Sequence, residues 1–355
     1  MKKVYVVLIL LGTFVSQIIA QSESTMIFLR INPSSRNAAM GDAGVALDDD
    51  VYSIFFNPAG LARQYDPKDE NTFPAEITFS YAKWLPQFNF DDLYYLFWAG
   101  RYYMDGVGML GASIQYMNYG DIIQTGSNPG EVLGTFSSNE TSVTLAYALP
   151  VSDNLDFGAG AKIIYSNLAN VQVESQTEKG VTTAFGLDLG LLYWKNILNY
   201  NTQFGVSISN MGPNVSYVDE KQADPMPMVL RAGFAVDVLK NEFHSVMLTY
   251  QFDRELTYRE GAEADEFPKG IFTTWKQNDN FELFTHSIGA EYWYTNLIAF
   301  RAGYFYESPK AGNRKFLSVG MGLKYLNFKF DLSYLSANET VPLGETIRLS
   351  VSGMF

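Results

Sequence analysis

Cysteine is absent from the 355 residues, which excludes disulfides, thiolate nucleophiles, cysteine-ligated metals and a lipid-modified cysteine. Histidine is scarce as well, because His244 and His286 are the only two and lie far apart in the sequence. A catalytic site needs a nucleophile with a base and an orienting group, or a metal cluster. We therefore expect a protein that is not an enzyme and that uses no cofactor or metal.

Charge is low and mostly negative. Charged residues make up 18% of the chain, below the roughly 25% usual in soluble domains. The net charge is -13, and lysine and arginine form no cluster of the kind that contacts phosphates. Nucleic acid is therefore excluded as a partner.

Long apolar runs are missing beyond the first 20 residues, which excludes membrane-spanning helices. Aromatic residues are abundant, with 23 Tyr and 26 Phe. A transmembrane β-barrel accounts for both facts, because its lipid-facing and lumen-facing side chains alternate and apolar residues are diluted by small or polar ones.

The N-terminus has the pattern of a secretory signal peptide. Lys2 and Lys3 precede an apolar run from Val4 to Val15, and a small residue, Ala20, follows. A short membrane anchor is the alternative, but the apolar core is short for a span. We expect export, with a signal peptide at residues 1–20.

Two further zones follow. Residues 21–74 show no sustained two-residue alternation and are rich in Gly, Ala, Asn and Asp, which predicts an N-terminal hatch or plug. Residues 75–355 repeat stretches of about ten alternating residues separated by polar turns, as barrel strands do. The fold class is therefore predicted as all-β, a transmembrane antiparallel β-barrel of about 14 strands placed in a bacterial outer membrane.

Fourteen segments carry the alternation, within an uncertainty of about two strands. They are Glu76–Lys83, Asp91–Arg101, Val107–Tyr119, Thr141–Ala148, Phe157–Ser166, Phe185–Tyr193, Phe204–Asn210, Leu230–Val238, Val246–Asp253, Phe284–Trp293, Ile298–Tyr306, Leu317–Tyr325, Phe328–Tyr334 and Ile347–Phe355. An even number suits a closed barrel, which leaves no unpaired backbone in hydrocarbon. The last segment is amphipathic and ends on an aromatic residue, a signal that barrel-assembly machinery commonly reads.

Connections of two lengths alternate along this zone. Short turns such as Ser152–Leu155, Asn196–Tyr200 and Leu326–Asn327 are expected on the periplasmic side, because outer-membrane barrels keep those turns short. The longer polar connections are expected on the cell surface. They are Asp121–Asn139, Asn167–Thr182, Asn210–Pro227, Tyr258–Phe281 and Ser308–Lys315.

Charged residues also fall on the inward-facing parity of the predicted strands. They are Lys162, Asp188, Arg231, Asp237, Glu291, Arg301, Lys324, Asp331 and Arg348. Mixed signs suit ion pairs around a plug, and they also suit a wet channel lining. Inward glycines would let a plug approach the wall closely. They are Gly158, Gly160, Gly186, Gly190, Gly205, Gly289, Gly303, Gly320 and Gly322.

Three consecutive acids, Asp48, Asp49 and Asp50, invite a calcium interpretation. They lack the alternating ligand spacing of a calcium loop. We expect a solvated turn.

The N-terminal zone carries a recognisable motif. It runs from Phe28 to Ala46 and includes Arg36, Met40, Gly41, Asp42 and Gly44; a second stretch comprises Asn57, Pro58, Ala59, Gly60 and Leu61. The first stretch resembles the PorV/PorQ family, which is itself similar to the FadL transporters of hydrophobic compounds. In the second stretch, Asn57 to Ala59 is shared by both groups, whereas Gly60 and Leu61 occur as in FadL-like proteins and depart from the typical PorV pattern. The resemblance implies a 14-stranded barrel with an N-terminal hatch.

The resemblance also implies a role in type IX protein secretion. Members of the family bind cargo that bears a C-terminal secretion domain and pass it from the translocon to a cell-surface attachment complex. Outer-membrane lipids, the translocon, attachment-complex proteins and secreted cargo are then the expected partners. A FadL-like transporter of hydrophobic compounds is the alternative, and a purely structural outer-membrane protein is a third possibility.

Overall fold

The computed structural model describes residues 24–86, 92–126, 128, 130–169, 180–217, 223–260, 263–277, 280–337 and 344–355. The predicted signal peptide, residues 1–20, lies outside the described residues. No described helix is long and apolar enough to cross a membrane.

Fourteen antiparallel strands form a closed barrel, and a two-stranded ribbon, β10 and β11, lies outside it. The strands are β1 Ala75–Lys83, β2 Tyr94–Met104, β3 Gly108–Thr125, β4 Val132–Ser152, β5 Leu155–Ala169, β6 Gly180–Ile197, β7 Tyr200–Met211, β8 Val229–Lys240, β9 His244–Glu255, β10 Arg259–Glu260, β11 Glu263–Ala264, β12 Phe284–Tyr294, β13 Ile298–Glu307, β14 Lys315–Tyr325, β15 Phe328–Ala337 and β16 Ile347–Met354. Each of the fourteen predicted segments coincides with one barrel strand, so the predicted number is confirmed.

The barrel closes by pairing its first strand with its last. The ladder between β1 and β16 runs from the pair Glu76 and Met354 to the pair Ala82 and Arg348. The terminal residue continues it, because the amides of Ala75 and Phe355 each donate to the other's carbonyl. Closure removes the sheet edges that an open sheet would leave unpaired.

Alternation divides each strand between two faces. In β6, for example, Leu187, Leu189 and Leu191 are exposed on the outer face, whereas Asp188 is buried on the inner one. An outward row of exposed apolar side chains around a polar interior is the pattern of a barrel wall in lipid.

Short turns join the strands at the end where β1 begins and β16 ends. The turn between β6 and β7 contains only Leu198 and Asn199, both at positive φ, as in the two-residue hairpin turns whose twist matches that of the strands. The predicted short turns at Ser152–Leu155, Asn196–Tyr200 and Leu326–Asn327 all lie at this end.

One long connection was predicted wrongly. The stretch Asp121–Asn139 is mostly strand, because β3 continues to Thr125 and β4 starts at Val132. A bulge at Gly120, where φ is +78°, shifts the pairing by one residue. The two strands therefore continue as a ribbon beyond the last pair that β3 forms with β2, between Asn118 and Tyr94.

Residues 24–74 precede β1 and contain only short helices. Two α-helical turns cover Ser35–Ala38 and Ser53–Phe56, and 3₁₀ turns cover Ile27–Arg30 and Pro58–Leu61. We call residues 24–74 the N-terminal segment. Most of residues 28–62 are buried although the helices are short, because their side chains pack against the inner face of the wall.

Candidate functional site

The N-terminal segment contacts one sector of the wall through apolar side chains. Phe28, Leu29 and Leu61 are almost completely buried and join a cluster that includes Phe97 of β2 and Met109 of β3. Tyr52 stacks on Phe97 with ring centroids 5.7 Å apart. This sector holds the segment by burial of apolar surface.

In a second sector of the wall, the backbone of the segment packs directly against glycines. A side chain at Gly289 of β12 or Gly303 of β13 would collide with the backbone of Met40 and Gly41. Gly41 has φ +69° and would itself collide with the backbone of Tyr304 if it carried a Cβ. Glycine is therefore required on both sides of this contact.

The same arrangement continues around the barrel. Val45 lies against Gly205, and Pro58 lies against Gly158 and Gly190. Ala39 lies against Gly320. The inward glycines of six strands were expected to admit a close neighbour, and the N-terminal segment is the neighbour at these positions.

Asn57 cross-links the segment to itself and to the wall. Its side-chain oxygen accepts from the amide of Ala59, and its Nδ2 donates to the carbonyls of Val45, at 2.8 Å, and of Leu191, at 2.9 Å. Asn57 is fully buried, so each of these bonds forms away from bulk water. Within the segment, Gly44 lies against Asn37 and Phe56, and Gly60 against the carbonyl of Leu47.

Arg36 is the centre of a buried charge network, which we call the Arg36 network. Its Nε and Nη2 donate to both carboxylate oxygens of Glu291 at 2.8 and 2.6 Å. Glu291 also accepts from Arg301 Nε at 2.6 Å, and Arg301 Nη1 donates to Asp331 at 2.6 Å. Opposite charges therefore alternate from the segment across β12, β13 and β15, which satisfies charges that would be costly to bury alone.

The prediction of a solvated turn was wrong for two of the three consecutive acids, because Asp49 is exposed but Asp48 is half-buried and Asp50 is buried. Arg36 Nη1 donates to Asp49 at 2.5 Å and to Asp50 at 2.9 Å, and Asp50 is buried. Asp48 accepts from Trp194 Nε1 and Gln203 Nε2. Arg36 precedes Asp49 and Asp50 by thirteen and fourteen residues and folds back onto them. Since Arg36 also binds Glu291, these acids are linked to the wall through it. No group of acids and histidines suited to a metal occurs among the described residues.

Burial raises the pKa of Asp48 to about 7, and the charge of neighbouring Asp49 adds to the rise. The two hydrogen bonds from Trp194 and Gln203 favour the ionised carboxylate and limit that rise. Asp48 lies where the segment meets β6 and β7, so its protonation is coupled to that contact.

The other inward charges fall into pairs and partly exposed groups. Lys162 Nζ lies 2.9 Å from Asp188, and Arg231 Nη1 donates to Ser209 at 2.6 Å. Arg348 donates to the carbonyl of Asn32 in the N-terminal segment. Asp237 faces Lys240 at 3.6 Å near a short turn, and Lys324 is half-buried beside a cavity.

Several polar wall residues in contact with the segment were not predicted from the sequence, among them Gln251, Ser318 and Ser207. The Gln251 side-chain oxygen accepts from the amides of Gly44 and Val45 at 2.8 and 2.7 Å. Ser318 accepts from the amide of Gly41, and Ser207 donates to the carbonyl of Phe56. Their inward parity was readable, but short polar side chains on that face are too common to single out.

Two cavities lie on opposite sides of the N-terminal segment. One of about 60 Å³ faces the long connections and is lined by Asp42, Phe55, Arg231, Phe305 and Arg314, among others. Another of about 140 Å³ faces the short turns and is lined by members of the Arg36 network with Trp293, Lys324 and Lys329, among others. Asp42 accepts from Asn32 Nδ2 at 2.6 Å at the edge of the first. Both cavities are lined by charged groups.

Solved structures with the same fold are outer-membrane barrels. The toluene transporter TodX of Pseudomonas putida aligns with a TM-score of 0.54 at 12% identity, covering 91% of this chain and 98% of that one. A FadL homologue of Pseudomonas aeruginosa aligns with a TM-score of 0.50 at 13% identity, covering 91% and 98%. A comparison with curated protein sequences found no match. At such low identity these likenesses establish the fold.

Sequence comparison establishes the family. Residues 17–259 match the family model described as type IX secretion system protein PorV. The matched range contains the whole motif zone and the strands from β1 to β9. This family and the fold are those of outer-membrane transport and secretion barrels and not of enzymes, and they imply an outer-membrane location. The chain belongs to the PorV family of type IX secretion proteins.

Proposed function

We propose that this protein binds cargo bearing a C-terminal secretion domain and passes it from the type IX translocon to the cell-surface attachment complex. The observation that carries the proposal is the family match over residues 17–259. It implies partners within the type IX system, and it covers the motif zone in which the N-terminal segment meets the wall.

The occupied interior supports a role in protein binding. In this proposal residues 24–74 act as a hatch, because they fill the sector between glycines of β5 to β7 and β12 to β14 and bury Arg36 and Asn57 there. Cargo would then contact the mouth and the long connections. At the end of the barrel that carries the long connections, the β3–β4 ribbon projects beyond the neighbouring strand β2.

Transport of a hydrophobic compound is the second candidate, favoured by the likeness to the toluene transporter fold. The cavities argue against it. An apolar cavity of about 150 Å³ is the size that binds benzene, whereas the aromatic-lined cavity here measures about 60 Å³ and is lined by Arg231 and Arg314. The cavity of about 140 Å³ is lined by Arg36, Asp49 and Lys324. Entry of an apolar ligand would strip these charges of water or of one another.

A deletion strain complemented with variants tests the two candidates. Replacing residues 121–137 by a two-residue turn should abolish copurification of cargo with the tagged protein and reduce secretion at least tenfold. The matched control replaces Leu198 and Asn199 of a short turn by Asn-Gly, which should leave both unchanged.

Secretion that persists in the deletion strain, without cargo on the purified barrel, would rule out the cargo proposal. Loss of uptake of a monoaromatic compound in that strain would support the transporter instead. A purely structural protein would change neither readout.

A further inference from the structure

The long connection between β9 and β12 folds back onto the outside of the barrel. We call its described residues 265–277 and 280–283 the outer flap. It contains an α-helical turn at Lys269–Thr273 and 3₁₀ turns at Thr274–Lys276 and Asn280–Leu283.

Arg254 shows which face the flap covers. It lies on the outward parity of β9, two and four residues beyond Phe252 and Tyr250, and pairs across the ladder with Phe284. Although it points outward, Arg254 is only 1% exposed. Its Nη2 donates to the carbonyl of Thr274 and to the side chain of Gln277, both at 3.0 Å. The flap therefore sits on the outer wall.

Apolar contacts also place the flap on the outer face of the wall. Ile271 packs against a cluster that includes buried Leu256, and Ile208 of β7 and Leu230 of β8 pack against the same cluster. The Arg254 guanidinium lies 5.6 Å from the ring centroids of both Trp275 and Phe284. The flap is thus anchored to the wall by one face.

Several aromatic side chains of the flap remain exposed. Phe281 is 90% exposed, Phe272 72%, Trp275 42% and Phe267 40%. Side chains of this size are rarely left in water together unless the surface they form is covered by something.

The aromatic surface continues onto the lipid-facing wall. Trp275 contacts Phe284 with centroids 6.2 Å apart, and Phe284 contacts Phe252 at 5.5 Å. The chain of rings continues through Tyr250 to His286 and then to Tyr306 on the outward faces of β9, β12 and β13. Lys269 and Lys276 border the exposed rings. Aromatic rings flanked by lysine are typical of the boundary between hydrocarbon and headgroups.

We propose that the outer flap is a lipid-binding foot, which inserts Phe272 and Phe281 into the outer leaflet beside the barrel. The occupant is lipid because Trp275 of the flap joins the row of outward rings on the wall, the face that outer-membrane placement puts in contact with the bilayer, and Phe272 and Phe281 of the same flap are exposed. The inference rests on that placement and is independent of which cargo the protein binds.

Site-directed spin labelling tests the proposal, and the absence of cysteine from the chain makes single labels unambiguous. Phe272→Cys and Phe281→Cys are labelled with a nitroxide in the full-length protein in phosphatidylcholine vesicles. Collision rates with oxygen, which partitions into lipid, and with a water-soluble nickel chelate are then compared. Leu187→Cys, on the outer wall, is the lipid reference, and Lys68→Cys, in an exposed stretch before β1, is the water reference.

The expected oxygen-to-nickel ratio at 272 and 281 is at least fivefold higher than at 68 and close to that at 187. Ratios equal to that at 68 would overturn the proposal. Labels that are nickel-accessible in vesicles but protected in native outer membranes would also overturn it, because a protein partner would then cover the flap. Both readouts are taken without secretion, so failure of the cargo role would leave them unchanged.

Discussion

The N-terminal segment meets the barrel wall through two unlike surfaces. Toward β2 and β3 it packs Tyr52 and Leu61 against Phe97 and other apolar side chains. Toward β12 to β15 it offers backbone to glycines and Arg36 to Glu291. Apolar burial is non-directional and tolerates sliding, whereas backbone contact on glycine and a two-bond arginine–carboxylate pair fix one geometry. The apolar contacts therefore hold the segment against the wall, and the glycine and Arg36 contacts fix where on the wall it lies.

The largest effect is expected from filling the glycine contact. Gly303→Val places a branched side chain against the backbone of Met40 and Gly41, which cannot yield as a flexible side chain would. We expect a loss of more than about 3 kcal/mol in the free energy of opening the segment, above the usual cost of overpacking. Hydrogen exchange of amides 36–48 measures it. Gly134→Val, where a Cβ would meet nothing within 4 Å, should leave the exchange unchanged, and equal exchange in the two variants would contradict the positional role.

Truncation on the apolar surface comes next. Leu61→Ala removes a fully buried side chain that packs beside Gly111 and should cost about 3 kcal/mol. The segment should keep its register, so amides 36–48 should stay more protected than in Gly303→Val. Leu198→Ala, at an 85% exposed turn residue, is the control. If Leu61→Ala reduced protection only at residues 36–48, the apolar contacts would be the ones that fix the position of the segment, and our assignment of the two surfaces would be wrong.

Arg36→Met removes the central cation of the charge network. We expect a loss of about 2 kcal/mol, below the usual cost of breaking a buried pair, because Glu291 keeps Arg301 and Asp49 is 58% exposed. The double variant with Glu291→Gln should lose less than the sum of the two single changes, which thermal unfolding in detergent can measure. Lys240→Met, which breaks an exposed pair with Asp237, should change little. Strict additivity would show that the pair is not coupled.

The last prediction concerns pH, and its effect appears only when the pH is changed. The folded-state pKa of Asp48 is raised from 3.8 to about 7, so the folded form binds this proton more tightly than the unfolded one. The stability contributed is full below about pH 4 and is lost as the pH rises toward 7. Asp48→Asn should therefore be more stable than the parent at pH 8 and differ little at pH 4 to 5, in melting curves at both pH values. The exposed Asp69→Asn is the control, and a parent–variant difference independent of pH would contradict the assignment.

The wall was predictable from sequence because its signal is local. Alternation over about ten residues located every strand of the barrel, though not β10 and β11, and inward parity located Lys162 with Asp188 and Arg301 with Asp331 on one face. The strand extensions at Asp121–Thr125 and Val132–Ser138 were missed because the bulge at Gly120 breaks the phase. Local periodicity carries no information across such a shift.

The contacts of the N-terminal segment depended on distant partners. The motif from Arg36 to Gly44 was found as a pattern, but the sequence does not show that Arg36 meets Glu291, 255 positions later. The same limit hid the roles of Asp49 and Asp50. The polar stretch Tyr258–Phe281 predicts an ordinary surface connection, because the contact of the outer flap with Arg254 depends on the wall beneath it.

The seam between β1 and β16 constrains the order of assembly. The N-terminal segment leads directly into β1 and is held between glycines on strands from both halves of the chain. The contacts of the segment are therefore complete only when β5 to β7 and β12 to β14 are all in place. A variant whose segment docks slowly is therefore expected to delay the pairing of β1 with β16, because contacts between residues far apart in the chain are slow to form.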